Sequence, residues 1–202
     1  MNRSIHPAVG AGIESRPSTR NIWSYINNQP KPGGKLTCKC ASNPVVVTVT
    51  APAAHNHLCG CTKCWKPDGA LFSQVAVVPR DRLSVTQNQG KLKILDETVS
   101  IQRHCCSECG THMFGRVEDS NHHFFGLDFI HIELSKDAGW PPIQFAGFVS
   151  SIVESGTDPS ELDDIRNQIR GLGLETYDEF SPELNAYIAS RASDLSFKNQ
   201  VF

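Results

Sequence analysis

Two hydrophobic rhythms divide this chain. From Leu36 to Ser151 apolar residues come in short β-branched or alternating runs, the pattern of strands. Val45 to Thr50 is almost wholly β-branched. Ala70 to Val78, Lys91 to Leu95, His112 to Val117 and Phe124 to Ile132 are further expected strands. Turn chemistry separates them at Pro67-Asp68-Gly69, Asn88-Gln89-Gly90 and Asp119-Ser120-Asn121. Beyond residue 155 the rhythm becomes helical. Asp158 is an expected N-cap, Pro159 fills the first helical position, and Glu161 stands three residues past the cap. Leu162, Ile165, Ile169 and Leu172 then recur on one face, and Gly171 or Gly173 can end the helix. Ser181-Pro182-Glu183 opens a second helix carrying Leu184, Ile188 and Leu195. Residues 1–34, rich in Ser, Pro, Gly and Asn, read as irregular, with a short helix expected around Ile22 to Ile26 and Trp23 and Tyr25 set to cap the body. The expected organisation is a leader over 1–35, a β domain over 36–155 and a helical segment over 156–202 packed on it. The fold class is mainly β with short C-terminal helices.

A length of 202 residues suits one domain with a helical appendage and can bury a substantial core. The 15 Gly and 12 Pro favour a turn-rich, strand-rich body. A net charge of −2 gives no reason to expect a nucleic-acid partner, since such modules usually carry a basic excess. No run approaches the roughly 18 apolar residues of a membrane span. Met1 to Arg20 lacks the apolar centre of a secretory signal, so a cytoplasmic location is expected.

That compartment bears on the eight cysteines, because cytosolic thiols stay reduced and favour metal over disulfides. Cys38 and Cys40 form C-x-C; Cys59, Cys61 and Cys64 form C-x-C-x-x-C; Cys106 and Cys109 form C-x-x-C, with Cys105 beside them. Such spacing is metal-ligand spacing. If Leu36 to Ala41 is extended, Cys38 and Cys40 aim at one point, because strand side chains at i and i+2 share a face; Cys59 and Cys61 do the same. Cys106 to Cys109 fits a tight turn closed by Gly110, which permits a positive φ. The two pairs make a closed four-sulfur zinc site tying an early strand to a late one. Cys59, Cys61 and Cys64 make a three-ligand cup. Spacing leaves open whether that cup keeps a free fourth position or is closed by His55, His57 or His104. Cys105 should face the other way and act as a small buried thiol.

The run from His57 to Pro67, His-Leu-Cys-Gly-Cys-Thr-Lys-Cys-Trp-Lys-Pro, resembles the core motif of the glutathione-dependent formaldehyde-activating enzymes, or S-(hydroxymethyl)glutathione synthases. The likeness continues in Cys38-Lys39-Cys40, Asn43-Pro44-Val45, Phe72 to Val78, Gln102-Arg103-His104, Cys106-x-x-Cys109-Gly110-x-His112-Met113, Gly126 to Phe129 and Phe148 to Ser151. The resemblance implies a zinc-stapled, β-tent-like body with two Zn2+ per chain. It implies a structural zinc on Cys38, Cys40, Cys106 and Cys109 and a catalytic, open one on Cys59, Cys61 and Cys64. Cys105 is not required by the family pattern. The implied partners are glutathione and formaldehyde, and the implied reaction is their condensation, a carbon–sulfur lyase activity that begins formaldehyde detoxification. Lys63, Trp65 and Lys66, next to the cup, are expected glutathione contacts, with Arg103 and Arg116 flanking the other half of the motif. His55, His57 and His104 could carry protons. Two other readings compete: a non-catalytic glutathione-binding carrier, and a zinc-stabilised interaction module resembling centromere protein V. A zinc deaminase is disfavoured, as no H-x-E precedes a P-C-x-x-C.

Overall fold

The computed structural model describes residues 4–6 and 32–199, and of residues 193–199 the backbone alone. The short helix expected around Ile22 to Ile26, with Trp23 and Tyr25, lies outside the described residues, as does the side chain of Leu195. The protein is mainly β. One sheet of three strands joins β1 (Gly34–Thr37), β2 (Val46–Val49) and β5 (Leu83–Gln87). The other has eight strands: β3 (Ala54–Cys59), β4 (Ser73–Pro79), β6 (Leu92–Ile94), β7 (Gln102–Cys106), β8 (His112–Arg116), β9 (Leu127–His131), β10 (Phe145–Gly147) and β11 (Glu175–Thr176). Their spatial order is β11-β10-β3-β4-β9-β8-β7-β6. Pairing is antiparallel except for β10, which runs parallel to both β3 and β11.

The β-branched run becomes β2, with Val45, Val47 and Val49 buried and Thr48 turned out to meet Thr86 across the pair, Oγ1 to Oγ1 at 3.0 Å. In β4 both faces are covered. Ala76 and Val78 enter a core with Leu36, Val45, Val47, Met113 and Ile130, while Val77 joins Val117, Phe124 and Leu127 on the opposite side. Near-continuous apolar sequence is what a strand buried on both faces requires. The expected strand over Phe124 to Ile132 is shorter. Leu127 N–H bonds Phe124 C=O at 3.1 Å and Gly126 adopts φ +82°, so a turn occupies its first three residues.

The helical segment follows its caps. Asp158 Oδ1 accepts from Ser160 N–H at 2.9 Å ahead of α1 (Leu162–Gly171). Ile165 and Ile169 bury against Leu58, Phe72, Ala146, Val149 and Ile152, a second core beneath β3 and β10. Gly173, at φ +78°, follows the helix end. α2 (Pro182–Asn199) starts at Ser181, whose Oγ accepts from Leu184 N–H at 3.3 Å. No helix among the described residues is long and apolar enough to cross a membrane.

Candidate metal centres

All eight cysteines are free thiols, and seven gather in two places. Within each group the sulfurs lie within 4.8 Å of one another. Zinc–thiolate bonds of ~2.3 Å at tetrahedral angles put sulfurs roughly 3.8 Å apart, so both groups have the size of a zinc site.

The larger group is Cys38, Cys40, Cys106 and Cys109. The extended stretch expected over Leu36 to Ala41 ends at Thr37. Cys38 N–H instead bonds Val45 C=O at 3.0 Å, and Val45 N–H donates to Cys38 Sγ at 3.1 Å. A loop closing on itself, rather than strand alternation, turns Cys38 and Cys40 to the same point. Cys40 Sγ lies 3.7 Å from Cys106 Sγ. The turn expected at Cys106 to Cys109 is present: Gly110 N–H bonds Cys106 C=O at 2.9 Å, with Gly110 at φ +69°. Burial pushes the Cys109 thiol up, but hydrogen bonds from the Thr111 hydroxyl and backbone bring it down to about 6. Cys38 and Cys106 belong to the first core, with Cys40 and Cys109 packed on its margin.

The smaller group is Cys59, Cys61 and Cys64. Cys59 closes β3; Cys61 and Cys64 lie in the turn beyond. Gly60 sits between them because nothing larger fits: a Cβ there would come within 2.2 Å of Phe148 O, while Gly60 N–H bonds Gly147 C=O at 3.0 Å. Cys61 Sγ and Cys64 Sγ are 3.3 Å apart. Hydrogen bonds from the Cys59 and Cys64 thiols, then from the Lys63 and Cys64 N–H groups, hold Cys61 down at about 2. Cys59 is pushed well up, first by its bond to Cys61. Three cysteine sulfurs this close together are a donor set suited to a soft cation. Among the described residues no histidine nitrogen or carboxylate oxygen completes this group as a fourth ligand.

Beside the three sulfurs lies a cavity of about 180 Å³, lined also by His57, Arg103 and His131. Its walls are apolar. Phe124 and Phe129 come from the sheet side, Phe148 and Phe180 from loops, and Leu184 and Tyr187 from α2. His57 is buried and stacked on Phe145 at 4.8 Å. Its Nδ1 lies 2.6 Å from His55 C=O, which can only accept, so Nδ1 carries the proton and Nε2 is an acceptor. Burial lowers His57 to about 4, keeping it neutral. His55 holds φ +51° where the β3–β4 register shifts, a bulge that turns its carbonyl to this use.

Lys63, Trp65 and Lys66 surround the cup but do not line its cavity. Lys63 is exposed and serves through its backbone. Lys66 Nζ donates to Cys61 C=O at 2.5 Å and so braces the turn. Trp65 faces elsewhere, with Lys39 Nζ 5.0 Å from its ring centroid. Arg103 reaches the cavity; Arg116 is bound to the buried Asp128 carboxylate. His104 stacks on Phe114 at 4.4 Å, and Cys105 is buried. Sequence reasoning gave no site role to His131, Phe148, Phe180 or Tyr187. The signal for Phe148 was its place in the family-like run Phe148 to Ser151; for the others it was the aromatic content of their segments alone.

Three comparisons bear on this arrangement. A family model described as glutathione-dependent formaldehyde-activating enzyme matches residues 35–142, a span that includes both cysteine groups. Three fungal relatives carry a provisional glutathione-dependent formaldehyde-activating enzyme name. The relative from Fusarium vanettenii is 50% identical over 190 residues, 94% of this chain and 96% of its own. The one from Penicillium rubens is 50% identical over 202 residues, covering 98% and 100%. The one from Aspergillus terreus is 52% identical over 190 residues, covering 94% and 93%. A crystal structure of a Rhodobacter sphaeroides protein aligns at TM-score 0.40 and 16% identity over 71% of this chain and 98% of that one, too loosely to carry an argument. On the extent of the family match and of the fungal identity, the chain belongs to the glutathione-dependent formaldehyde-activating enzyme family.

Proposed function

We propose that the protein is an S-(hydroxymethyl)glutathione synthase, a lyase joining glutathione to formaldehyde, with zinc on Cys59, Cys61 and Cys64 for the reaction and zinc on Cys38, Cys40, Cys106 and Cys109 for the fold. The observation that carries this reading is the contrast between the two sulfur groups. One has four sulfurs set in a core; the other has three at the edge of a cavity. A three-thiolate zinc, when bound, favours sulfur as its fourth ligand and stabilises a substrate thiolate at neutral pH.

The chain's own residues supply the rest. The new S–C bond forms as the C=O π bond of formaldehyde breaks, and the thiol proton ends on the new hydroxyl oxygen. Arg103 is the cation lining the cavity, suited to the negative charge that develops on that oxygen. Neutral His57, its Nδ1–H tied to His55 C=O, offers Nε2 to hold the migrating proton. The aromatic walls exclude bulk water, which would otherwise hydrate formaldehyde. A cavity of about 180 Å³ admits the thiol end and formaldehyde and leaves the charged ends of glutathione outside it.

Exchange NMR of glutathione with formaldehyde tests the proposal. The zinc-loaded protein should raise the exchange rate above the spontaneous background, in proportion to protein concentration and with loss on Cys61→Ala. Binding of glutathione with no gain in rate would make the protein a carrier instead.

A further inference from the structure

Successive side chains of β4 point to opposite faces of the sheet. Val75 and Val77 line the cavity beside the three sulfurs, whereas Gln74 lines a second one of about 400 Å³. Glu133, Trp140, Trp65 and Lys39 line it as well. The Glu133 side chain is only 7% exposed. Its Oε1 accepts from Gln74 N–H at 3.1 Å and lies 3.6 Å from His6 Nε2 and 3.7 Å from His131 Nδ1. Its Oε2 is buried and has no hydrogen-bond partner among the described residues; the same is true of Trp140 Nε1. Burial pushes the Glu133 carboxyl up, but His131 and His6 overcome it and hold it at about 2, so the group is an anion.

An orphaned buried carboxylate oxygen and an orphaned indole N–H beside one cavity are uncommon, because each costs free energy without a partner. Together they specify a ligand. Glu133 needs a cationic donor, and Trp140 Nε1 needs an acceptor. Lys39 adds a positive charge held over Trp65; its ion partner is the fully exposed Asp68, 3.9 Å away. A simple ammonium ion would leave Trp140 unmatched, and a simple carboxylate would meet Glu133 head on. The chemistry that matches all three is a zwitterion. The space is many times the ~30 Å³ share of one water.

We propose that this cavity is a subsite for an α-amino-acid group, its ammonium on Glu133 and its carboxylate towards Trp140 Nε1 and Lys39. If the proposed reaction holds, the γ-glutamyl end of glutathione is one source of such a group, and to that extent the inference rests on that reading. Trp65 links the two regions: it follows Cys64 in the chain, and its ring packs edge-on at 5.7 Å to His131, which lines the sulfur cavity. A free amino acid is the other source.

Titration calorimetry on the zinc-loaded full chain tests this with three probes. They are S-methylglutathione, whose sulfur is blocked; its N-acetyl derivative, which lacks the ammonium; and L-glutamate. S-methylglutathione should bind at least tenfold more tightly than the N-acetyl form. Glu133→Gln should erase that difference, and Trp140→Phe, which keeps the shape but removes the N–H, should weaken S-methylglutathione severalfold. L-Glutamate binding with the same dependence on Glu133, without S-methylglutathione binding, would support the subsite and assign it to free amino acids. Equal affinity for the two glutathione probes, wild-type affinity in both variants, or no binding of any probe would overturn it. Should Glu133→Gln fail to fold by circular dichroism, Trp140→Phe decides alone. Adduct formation by a protein whose probe binding ignores Glu133 would remove the subsite and leave the proposed reaction standing. Glu133-dependent binding without adduct formation would do the reverse.

Discussion

Gly60 shows how little freedom the cup allows. Alanine there would set its Cβ 2.2 Å from a backbone oxygen that cannot swing aside. Gly60→Ala should therefore cost at least the ~1–3 kcal/mol typical of overpacking and displace Cys59 from Cys61, seen as a lower melting temperature with loss of metal. The two sulfur groups should respond differently to losing a ligand. Cys61→Ala removes a sulfur from the turn beyond β3, so it should drop about one metal per chain by elemental analysis and leave the melt nearly unchanged. Cys109→Ala strikes a group anchored in the first core and should unfold much of the protein. Equal unfolding by both would mean that the groups do not divide the work. Which thiols belong together was legible in their spacing. How they are aimed was not, since Cys38 is turned by a hydrogen bond from Val45, seven residues on, that no alternation rule contains.

At the scale of elements, α2 shows where sequence reading stops. Its start is readable from Ser181-Pro182, and a helix lying on the β body as a lid or brace, or in simple packing, is the expectation. In the fold, Leu184 and Tyr187 form a wall of the sulfur cavity. An amphipathic face shows that a helix is covered, not by what. Arg191 pins this wall, donating through Nε to His123 C=O at 2.8 Å and through Nη2 to Phe125 C=O at 2.5 Å. Charge-assisted bonds of this kind are worth about 1.5–3 kcal/mol each, so Arg191→Leu should speed hydrogen exchange along residues 182–192 while sparing β4 and β9. An unchanged exchange rate would mean that apolar packing alone holds the helix. The strands of the body were legible because β-branched runs such as Val45 to Thr50 have few alternatives. The start of β9 was less so, since the turn at Phe124 to Gly126 is apolar and lacks polar turn residues.

Across the whole molecule the four-sulfur group brings together residues from both sheets. Cys38 follows β1 of the small sheet, while Cys106 ends β7 and Cys109 lies in the β7–β8 connection of the large one. The three-sulfur group has no such span. Graded chelation should thus release metal in two steps, the first with far-ultraviolet circular dichroism intact and the second together with unfolding. Simultaneous release would contradict that division. Pairing across the large sheet has a further outcome, at its margins. β11 contributes two residues at one end and β6 three at the other, and the centre of β6 is the exposed Lys93. Unpaired peptide groups along a sheet margin recruit strands from other molecules, and short, charged margins offer them no purchase. Concentrated protein is therefore expected to stay in solution rather than grow into fibres, which light scattering followed over days would check. Lys93→Val, beside the exposed Leu95, is the change that would put that solubility at risk.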